Sequence, residues 1–305
     1  MNQLLKKLAV STSLAVGVAA IATNPAHAST LTGITIGGSA PNDYVVYDVN
    51  GNNTVVVPSN LANLQKVLGG DATNPTGNVE LAASSELASF NFQNNTSISG
   101  KFGNKTLTLS SLTAFDWFGA GLNTTYGADT FATKWFNDFL TKAGGANLVG
   151  TATANNAFNL FLGLKGFQRT SDPNISYVYK DDPTGDIKIG LAGHFDLQAY
   201  YSRPNSGFAP FARLLPRGFQ ASEVVKYSLD NQSGFLYSFF ATPSGLTTNI
   251  GSDTLSHSGN YEVIIKDPKT GTGTDTKVPE PAMILGLLSV AGVFVVKGKS
   301  KKVSA

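Results

Sequence analysis

The strongest constraint on the fold is an Asn50-Gly51 pair that separates two runs of β-branched and aromatic residues. Residues 44–47 (YVVY) and 54–57 (TVVV) have the composition that strands favour. An Asn-Gly pair accepts the positive φ angles of a tight hairpin turn, because both residues tolerate the left-handed backbone region. We therefore predict a β-hairpin over residues 44–57.

Two further hairpins are predicted from the same kind of pattern, one over residues 96–109 and one over residues 175–189. Residues 235–240 and 261–265 are rich in aromatic and β-branched side chains and are predicted to be strands. Because a hairpin joins antiparallel strands, the main sheet is expected to be antiparallel.

One segment has a clear helical period. Aromatic side chains recur at every fourth position of residues 131–142, with polar residues on the opposite face, and Asp129 or Thr130 can cap the start. Shorter helices are predicted over residues 62–68 and 157–164. Helices alternate irregularly with hairpins, which disfavours a doubly wound parallel sheet. The sequence has no repeat of fixed period, which disfavours propellers and solenoids. The body is therefore predicted to be an α+β, β-rich fold with a mainly antiparallel sheet and a few short helices.

Composition excludes several classes of protein. Of the 305 residues, 42% are hydrophobic and 14% are charged, which is unlike an intrinsically disordered chain. The absence of cysteine excludes disulfide scaffolds, thiol nucleophiles, Cys-ligated zinc and iron–sulfur clusters. The formal net charge is +2, but lysines at the two ends supply it, and residues 29–278 carry −3. Nucleic acid is therefore not an expected partner, because its binding needs a dense cationic surface.

The first 28 residues have the three regions of a secretory signal peptide. Two lysines begin the segment, residues 8–22 are apolar apart from Ser and Thr, and Ala26 and Ala28 place small side chains where signal peptidase reads them. An N-terminal membrane anchor is the alternative, but this apolar run is shorter than the ~20 residues of a spanning helix. We expect export of the chain, with Ser29 as the first mature residue.

The C-terminal segment is also built in three parts. Pro279, Glu280 and Pro281 precede residues 282–296, a run in which Ser289 is the only polar side chain. A basic end follows, which contains Lys297, Lys299, Lys301 and Lys302. As a helix the apolar run covers ~22 Å, slightly less than a ~30 Å hydrocarbon core, and snorkelling lysines can absorb the difference. The lysines are expected to stay in the cytoplasm and to retain the chain transiently in the membrane.

This arrangement closely resembles the PEP-CTERM sorting signal of bacteria that secrete extracellular polysaccharide. The resemblance implies that an exosortase-type enzyme cuts the chain near Pro279-Glu280-Pro281 and that the protein passes from the inner membrane to the cell surface or extracellular matrix. The lysine-only basic end and the additional residues 303–305 depart from many members. Through residues 44–48 (YVVYD) and 77–81 (GNVEL), the body is also similar in general style to cyanobacterial members. A plain C-terminal anchor is the alternative interpretation of the same residues.

Histidines offer little catalytic potential outside the leader. His194 and Asp196 can lie on one strand face as a hydrogen-bonded pair, and His257 is expected in a loop. The Gly-x-Ser-x-Gly elbow of serine hydrolases and the His-Glu-x-x-His helix of zinc proteases do not occur. Both histidines are therefore interpreted as structural residues, and no cofactor is predicted.

Calcium is the best metal candidate, although a weak one. Oxygen-bearing side chains with suitable spacing occur at two turns, and they are Asp48, Asn50, Asn52, Asp181, Asp182 and Asp186. Neither set continues into a full calcium loop, and all of these residues are ordinary turn formers. Exposed aromatic platforms for extracellular polysaccharide are a further hypothesis, with Trp117, Tyr200 and Tyr201 as candidates.

The sequence thus predicts a signal peptide (1–28), a β-rich body (29–267), a Thr- and Gly-rich spacer (268–278) and a sorting segment (279–305). The leading hypothesis is an exported, non-catalytic protein of the cell surface or matrix, a substrate of signal peptidase and an exosortase-type enzyme. The alternatives are a secreted hydrolase that acts on polysaccharide or peptide, and a calcium-steadied adhesion module.

Overall fold

The predicted hairpin of residues 44–57 forms β3 (Tyr44–Asn50) and β4 (Asn53–Val57), joined by Gly51 at φ +63°. The computed structural model describes residues 28–203, 206–248 and 255–267. The other two predicted hairpins are confirmed as β6 (Thr96–Phe102) with β7 (Lys105–Ser110), and β8 (Asn174–Asp181) with β9 (Ile187–Gly193). In each case local strand preference and a tight turn determine the pairing.

The larger sheet contains nine strands among the described residues. Besides β3, β4, β8 and β9 it includes β1 (Ala28–Thr30), β5 (Gly77–Leu81), β12 (Thr242–Pro243), β13 (Thr247–Thr248) and β14 (Gly259–Ile265). Across the sheet the order is β12, β14, β9, β8, β5, β3, β4 and β13, and β1 pairs with the last residues of β8. All of these pairs are antiparallel except β13 with β4.

The smaller sheet is entirely antiparallel within the part of the chain that the structure describes. It consists of β2 (Thr32–Gly38), β6, β7, β10 (Val225–Leu229) and β11 (Gln232–Leu236). Their order is β11, β10, β7, β6 and β2. The fold is therefore β-rich and mostly antiparallel, as predicted.

A hydrophobic core joins the two sheets. Buried side chains from both belong to one contact cluster, for example Val46 and Ile189 from the larger sheet and Leu107 and Val225 from the smaller. Helix α1 (Leu61–Leu68) adds its buried face to this cluster, and Asn60 caps its start. The predicted helix over residues 62–68 is thus confirmed. Alternation along the strands buries one face of each sheet against the other.

The remaining helices lie around a second core. They are α2 (Ala114–Phe118), α3 (Phe131–Leu140), α4 (Ala152–Gly163), α5 (Gly166–Arg169), α6 (Leu197–Tyr201) and α7 (Ala209–Ala212). We call their shared core the aromatic cluster. Its buried aromatic members are Trp117, Phe118, Trp135, Phe136, Phe139, Phe158, Phe161, Phe167, Phe208, Phe211 and Phe219.

The predicted helix over residues 131–142 is confirmed as α3, and Thr130 is the residue that caps it. After α3 the backbone passes through a wider turn, Thr141–Gly145, in which Gly144 has φ +84°. A glycine reaches this left-handed conformation without a clash, which explains why the regular helix ends here.

Two predicted boundaries are wrong. The helix expected over residues 157–164 begins earlier, as α4 at Ala152, because the Thr151 hydroxyl caps the backbone N–H of Ala154. The strand expected over residues 235–240 ends with β11 at Leu236. Of the aromatic side chains that follow, Tyr237 and Phe239 pack on the aromatic cluster, while Phe240 is exposed.

Within residues 28–203, 206–248 and 255–267, the structure contains no helix with the length and apolar character that a membrane crossing needs. The leader up to residue 27, the spacer of residues 268–278 and the sorting segment of residues 279–305 lie outside the described residues. The predictions for those segments stay predictions.

Candidate functional site

Three acidic side chains lie near one another at the ends of strands. Glu80 lies on β5, opposite Asn174 at the start of β8, while Asp172 and Glu223 lie just before β8 and β10. The charge of Glu80 raises the pKa of Asp172, and the charges of Asp172 and Glu80 raise the pKa of Glu223, in both cases after the larger effect of burial. We call Glu80, Asp172 and Glu223 the acidic cluster.

Hydroxyl groups hold two members of the acidic cluster in place. The Tyr47 hydroxyl donates to Glu80 Oε2 over 2.7 Å across neighbouring strands. The Ser85 hydroxyl donates to Asp172 Oδ2 in a buried contact. Both acids are thus positioned by the same strand and loop packing that forms the larger sheet.

Glu223 is held by one residue that binds it twice. The backbone N–H of Asn174 and its side-chain Nδ2 both donate to Glu223 Oε2, over 2.9 and 3.3 Å. Within the described part of the chain, Oδ1 of Asn174 and Oδ1 of Asp172 are buried and have no hydrogen-bond partner. Buried polar atoms without a partner are unusual in native proteins.

The environment opposes negative charge on all three acids. Burial raises the pKa of Glu80 to about 7, against the opposing effect of the Tyr47 hydrogen bond. Burial also raises the pKa of Asp172 well above its ordinary value, and the charge of Glu80 adds to this. Burial likewise raises the pKa of Glu223, with further effects from Asp172 and Glu80. Burial and the charges of neighbouring acids therefore favour the protonated form of each carboxyl group.

A cavity of about 60 Å³ lies beside Glu223, and we call it the aromatic cavity. Its walls come mainly from the aromatic cluster and include Trp135, Phe139, Phe161, Phe208, Phe211 and the partly exposed Tyr201. Arg169, His194 and Ser222 add polar groups. Among the described residues that line it, Glu223 carries the only carboxyl group.

Arg169 has partners of its own near this cavity. Its guanidinium forms an ion pair with Glu86 and lies 5.7 Å from the centre of the Phe208 ring. The charge of Arg169 is therefore matched by a carboxylate outside the acidic cluster.

His194 and Asp196, which were predicted as a pair, each contact other residues. Asp196 Oδ1 accepts the backbone N–H of Ala199 over 2.9 Å and caps α6. The His194 ring stacks on Tyr200 at 3.8 Å between ring centres. His257 lies in a turn before β14 and is buried, with Nδ1 2.7 Å from Thr54 Oγ1.

Trp117 is not an exposed platform, so that interpretation is wrong. Its ring is fully buried in the aromatic cluster, and Nε1 donates to Ser171 Oγ over 2.7 Å. Tyr200 and Tyr201 are partly exposed, and Arg203 lies 4.2 Å from the centre of the Tyr200 ring. The sequence could not distinguish the buried Trp117 from the partly exposed Tyr200 and Tyr201, because aromatic residues occur both in cores and at surfaces.

The weak calcium candidates form protein contacts instead of one assembled site. Asp48 Oδ2 pairs with Lys66 at 2.5 Å, Asp182 Oδ1 accepts the Ser29 hydroxyl, and Asp186 Oδ2 pairs with Lys266 at 2.7 Å. Asn50 and Asn52 lie at the exposed turn between β3 and β4, and Asp181 Oδ1 is buried with no hydrogen-bond partner among the described residues. No group of three or more acidic or histidine side chains within the described ranges is arranged to hold a metal ion.

The acidic cluster was missed by sequence reasoning. Glu80 gave one usable signal, since it interrupts an apolar strand between Val79 and Leu81, where an acid is costly. Asp172 and Glu223 follow serines in turn-like segments and gave none.

Comparison of the chain with protein-family models, with curated proteins and with solved structures found no match. Its function has to be inferred from its own residues.

Proposed function

We propose that this protein is exported and reaches the cell surface or extracellular matrix after an exosortase-type enzyme removes its C-terminal segment. The observation that carries the proposal is the order of Pro279-Glu280-Pro281, the apolar run of residues 282–296 and the lysines after it. The apolar run and the lysines can hold the chain in the membrane, and this position leaves the motif just outside the lipid. The order is therefore unlike that of an accidental motif.

The segment acts as a substrate and needs no catalytic group of its own. The apolar run inserts into the bilayer, and the lysines hold its far end in the cytoplasm. Pro279 and Pro281 lack a backbone N–H and disfavour helix in the residues before them. The motif is then an extended handle just outside the lipid, where a processing enzyme can bind it.

For the body, a non-catalytic role in binding is the function that the site supports best. Glycosidases of the common type need two carboxyl groups on opposite sides of the scissile bond. Glu223 is the only carboxyl group on the described lining of the aromatic cavity, and Asp172 is buried and does not line it. One carboxyl group among aromatic walls suits the binding of a small molecule.

A secreted hydrolase is the second candidate, and the coupling of Asp172 with Glu223 favours it. Acids with raised pKa values near a cavity are common in active sites. This candidate predicts that the protein hydrolyses a polysaccharide or peptide and that Glu223→Gln abolishes the hydrolysis. The absence of turnover with both substrate classes would exclude it.

Replacement of Glu280 tests the sorting proposal. In a bacterium that carries an exosortase-type enzyme, the wild-type chain is expected to end near residues 279–281 and to leave the membrane fraction. Glu280→Ala is expected to stay full-length in the membrane, because the enzyme loses the only charged group of the motif. Mass spectrometry of the C-terminus in each cell fraction measures both outcomes.

Asp275→Ala is the matched control, since it removes an acid of the spacer and leaves the motif intact. We expect it to be processed like the wild type. Equal processing of Glu280→Ala and the wild type contradicts the proposal. Loss of processing in both variants shows that spacer charge, not the motif, is recognised, and this too contradicts it.

A further inference from the structure

We infer that the aromatic cavity binds a small carboxylate of about the size of acetate, whose oxygens accept hydrogen bonds from Trp135 Nε1 and the Arg169 guanidinium. The inference rests on the proposal that the body binds a small molecule, and it is independent of sorting. Its basis is an unpartnered donor on the wall of the cavity, the charges beside that donor and the volume of the space.

One wall of the cavity carries a buried hydrogen-bond donor that binds nothing. Trp135 lines the cavity, and its Nε1 has no hydrogen-bond partner in the part of the chain that the structure describes. The other tryptophan differs, because Trp117 Nε1 donates to Ser171 Oγ over 2.7 Å. A buried N–H without an acceptor lowers stability, and a ligand with an acceptor atom at this wall removes that cost.

Arg169 adds further donors and a positive charge to the same lining. Its Nη1 contacts Glu86, and no other acceptor among the described residues contacts the guanidinium. A guanidinium has five N–H donors, so this ion pair leaves donors for a second carboxylate. Glu86 does not line the cavity, and its side chain is 58% exposed, so solvent screens its attraction for Arg169.

The carboxyl group on the described lining favours the same choice of ligand. Burial raises the pKa of Glu223, and the charges of Asp172 and Glu80 add to this effect. The protonated form is thereby favoured, and in that form Glu223 has no charge and can donate a hydrogen bond to a carboxylate oxygen. An ammonium ligand would meet the donors of Trp135 and Arg169 without a matching charge. The lining therefore selects an acceptor, and the charge of Arg169 selects an anion.

The size of the cavity limits the ligand to a few atoms. Its volume of about 60 Å³ equals that of two liquid water molecules at ~30 Å³ each, which leaves room for about four non-hydrogen atoms. Phe139, Phe161 and Phe211 give the walls an apolar surface that suits a methyl group. Acetate combines a methyl group, two acceptor oxygens and a negative charge within this size.

NMR of the tryptophan indole groups tests the inference. A ligand of about four non-hydrogen atoms binds with a dissociation constant of about 40 µM at best, so the method has to detect weak binding. The full chain is labelled with [¹⁵N]tryptophan and held in lipid nanodiscs. It has two tryptophans and thus two indole signals, which Trp117→Phe or Trp135→Phe assigns. We expect acetate to move the Trp135 proton signal to lower field, because its N–H gains an acceptor, and to leave the Trp117 signal in place.

Acetamide and acetamidinium are the comparison probes, because they share the shape of acetate and differ in charge and in acceptor atoms. We expect acetate to bind at least about tenfold more tightly than either, since a hydrogen bond to a charged group is the stronger one. Sodium chloride at equal ionic strength is the blank. Equal or tighter binding of acetamide or acetamidinium overturns the inference, as does a Trp135 signal that acetate at millimolar concentration does not move.

The same titrations separate the inference from the proposed function. If acetate leaves the Trp135 signal in place but acetamide or acetamidinium moves it, the body still binds a small molecule and the inferred ligand class is wrong. If none of the three probes moves it, the proposed binding role of the body fails together with the inference.

Arg169→Gln is expected to weaken acetate binding at least about tenfold, because the ligand loses its charged partner. Arg213→Gln is the matched control. Arg213 carries the same charge at the end of α7, is exposed and does not line the cavity, so this variant is expected to bind acetate as the wild type does. Equal weakening in both variants, or none in Arg169→Gln, overturns the inference. If Arg169→Gln does not fold, the three probes on the wild type still decide the outcome.

Discussion

Glu80 shows how the position of one residue determines its chemistry. It lies on β5 between Val79 and Leu81, and its carboxyl group binds the Tyr47 hydroxyl on the neighbouring strand. Burial raises its pKa from the ordinary 4.5 to about 7. An acid in such a place reduces stability when it is ionised.

Glu80→Gln is expected to stabilise the protein at about pH 8 and to change its stability little at about pH 4. The folded state holds the Glu80 proton more tightly than the unfolded state does. The wild type therefore loses stability as pH rises from 4.5 to about 7, and the loss persists above that range. The full difference corresponds to about 3 kcal/mol. Urea unfolding at both pH values measures it.

Tyr47→Phe is the companion variant for this prediction. The Tyr47 hydrogen bond lowers the pKa of Glu80, so its removal should extend the loss of stability to higher pH and increase the total loss. A stabilisation by Glu80→Gln that is equal at acidic and alkaline pH would show that charge on Glu80 is not the cause.

At the scale of elements, the start of β5 is constrained by its close contact with β3 and α1, which leaves no space for a side chain. Gly77 begins β5 with φ +136°, and a Cβ at this position would lie 2.1 Å from the Tyr47 carbonyl oxygen and 2.8 Å from a methyl carbon of Val67. Only glycine fits between β3 and α1 here. This contact allows β5 to bring Glu80 into the acidic cluster.

Gly77→Ala is expected to destabilise the protein by about 3 kcal/mol or more, because both the backbone angle and the space exclude a side chain. Gly51→Ala is the matched control. Gly51 also has a positive φ, +63°, but a Cβ added there would have no neighbouring atom within 4 Å, so a cost of about 1 kcal/mol is expected. Urea unfolding measures the free energy of unfolding of both variants. A similar loss in the two would show that the contact of Gly77 with β3 and α1 is not the cause.

At the scale of the molecule, β11 connects the two cores. Phe235 on β11 stacks on Phe131 of α3 with 4.1 Å between ring centres. Lys226 on β10 pairs with Asp116 of α2 over 2.7 Å. The smaller sheet is thus fixed both to the larger sheet and to the aromatic cluster.

We expect the two cores to unfold in one transition. The chain has two tryptophans, and both Trp117 and Trp135 lie in the aromatic cluster, so their fluorescence reports on that core. Far-UV circular dichroism reports mainly on the sheets. Urea curves from the two probes should coincide, as in two-state unfolding.

Phe235→Ala should move both curves to lower urea together, with a loss of about 2 kcal/mol for a partly buried ring in a stacked pair. Phe240→Ala removes an exposed ring nearby and should change stability by less than about 0.5 kcal/mol. Separate shifts of the two curves in Phe235→Ala would show that the cores unfold independently.

Features that depend on a few neighbouring residues could be predicted from the sequence. The three hairpins and the cap at Thr130 follow from local strand preference, turn geometry and capping. Errors arose where distant packing overrode local preference. Residues 237–240 have strand composition, but Tyr237 and Phe239 pack on the aromatic cluster and the strand ends at Leu236.

The sequence by itself determined the hairpins, the amphipathic helix and the order of the sorting motif, because each depends on short-range sterics or on the run of hydrophobicity along the chain. Only the tertiary structure decided that Glu80, Asp172 and Glu223 meet, that Trp117 is buried and that a cavity lies beside Glu223. The reason is physical. The state of a carboxyl group depends on the dielectric and the charges around it, and segments far apart in the chain supply both.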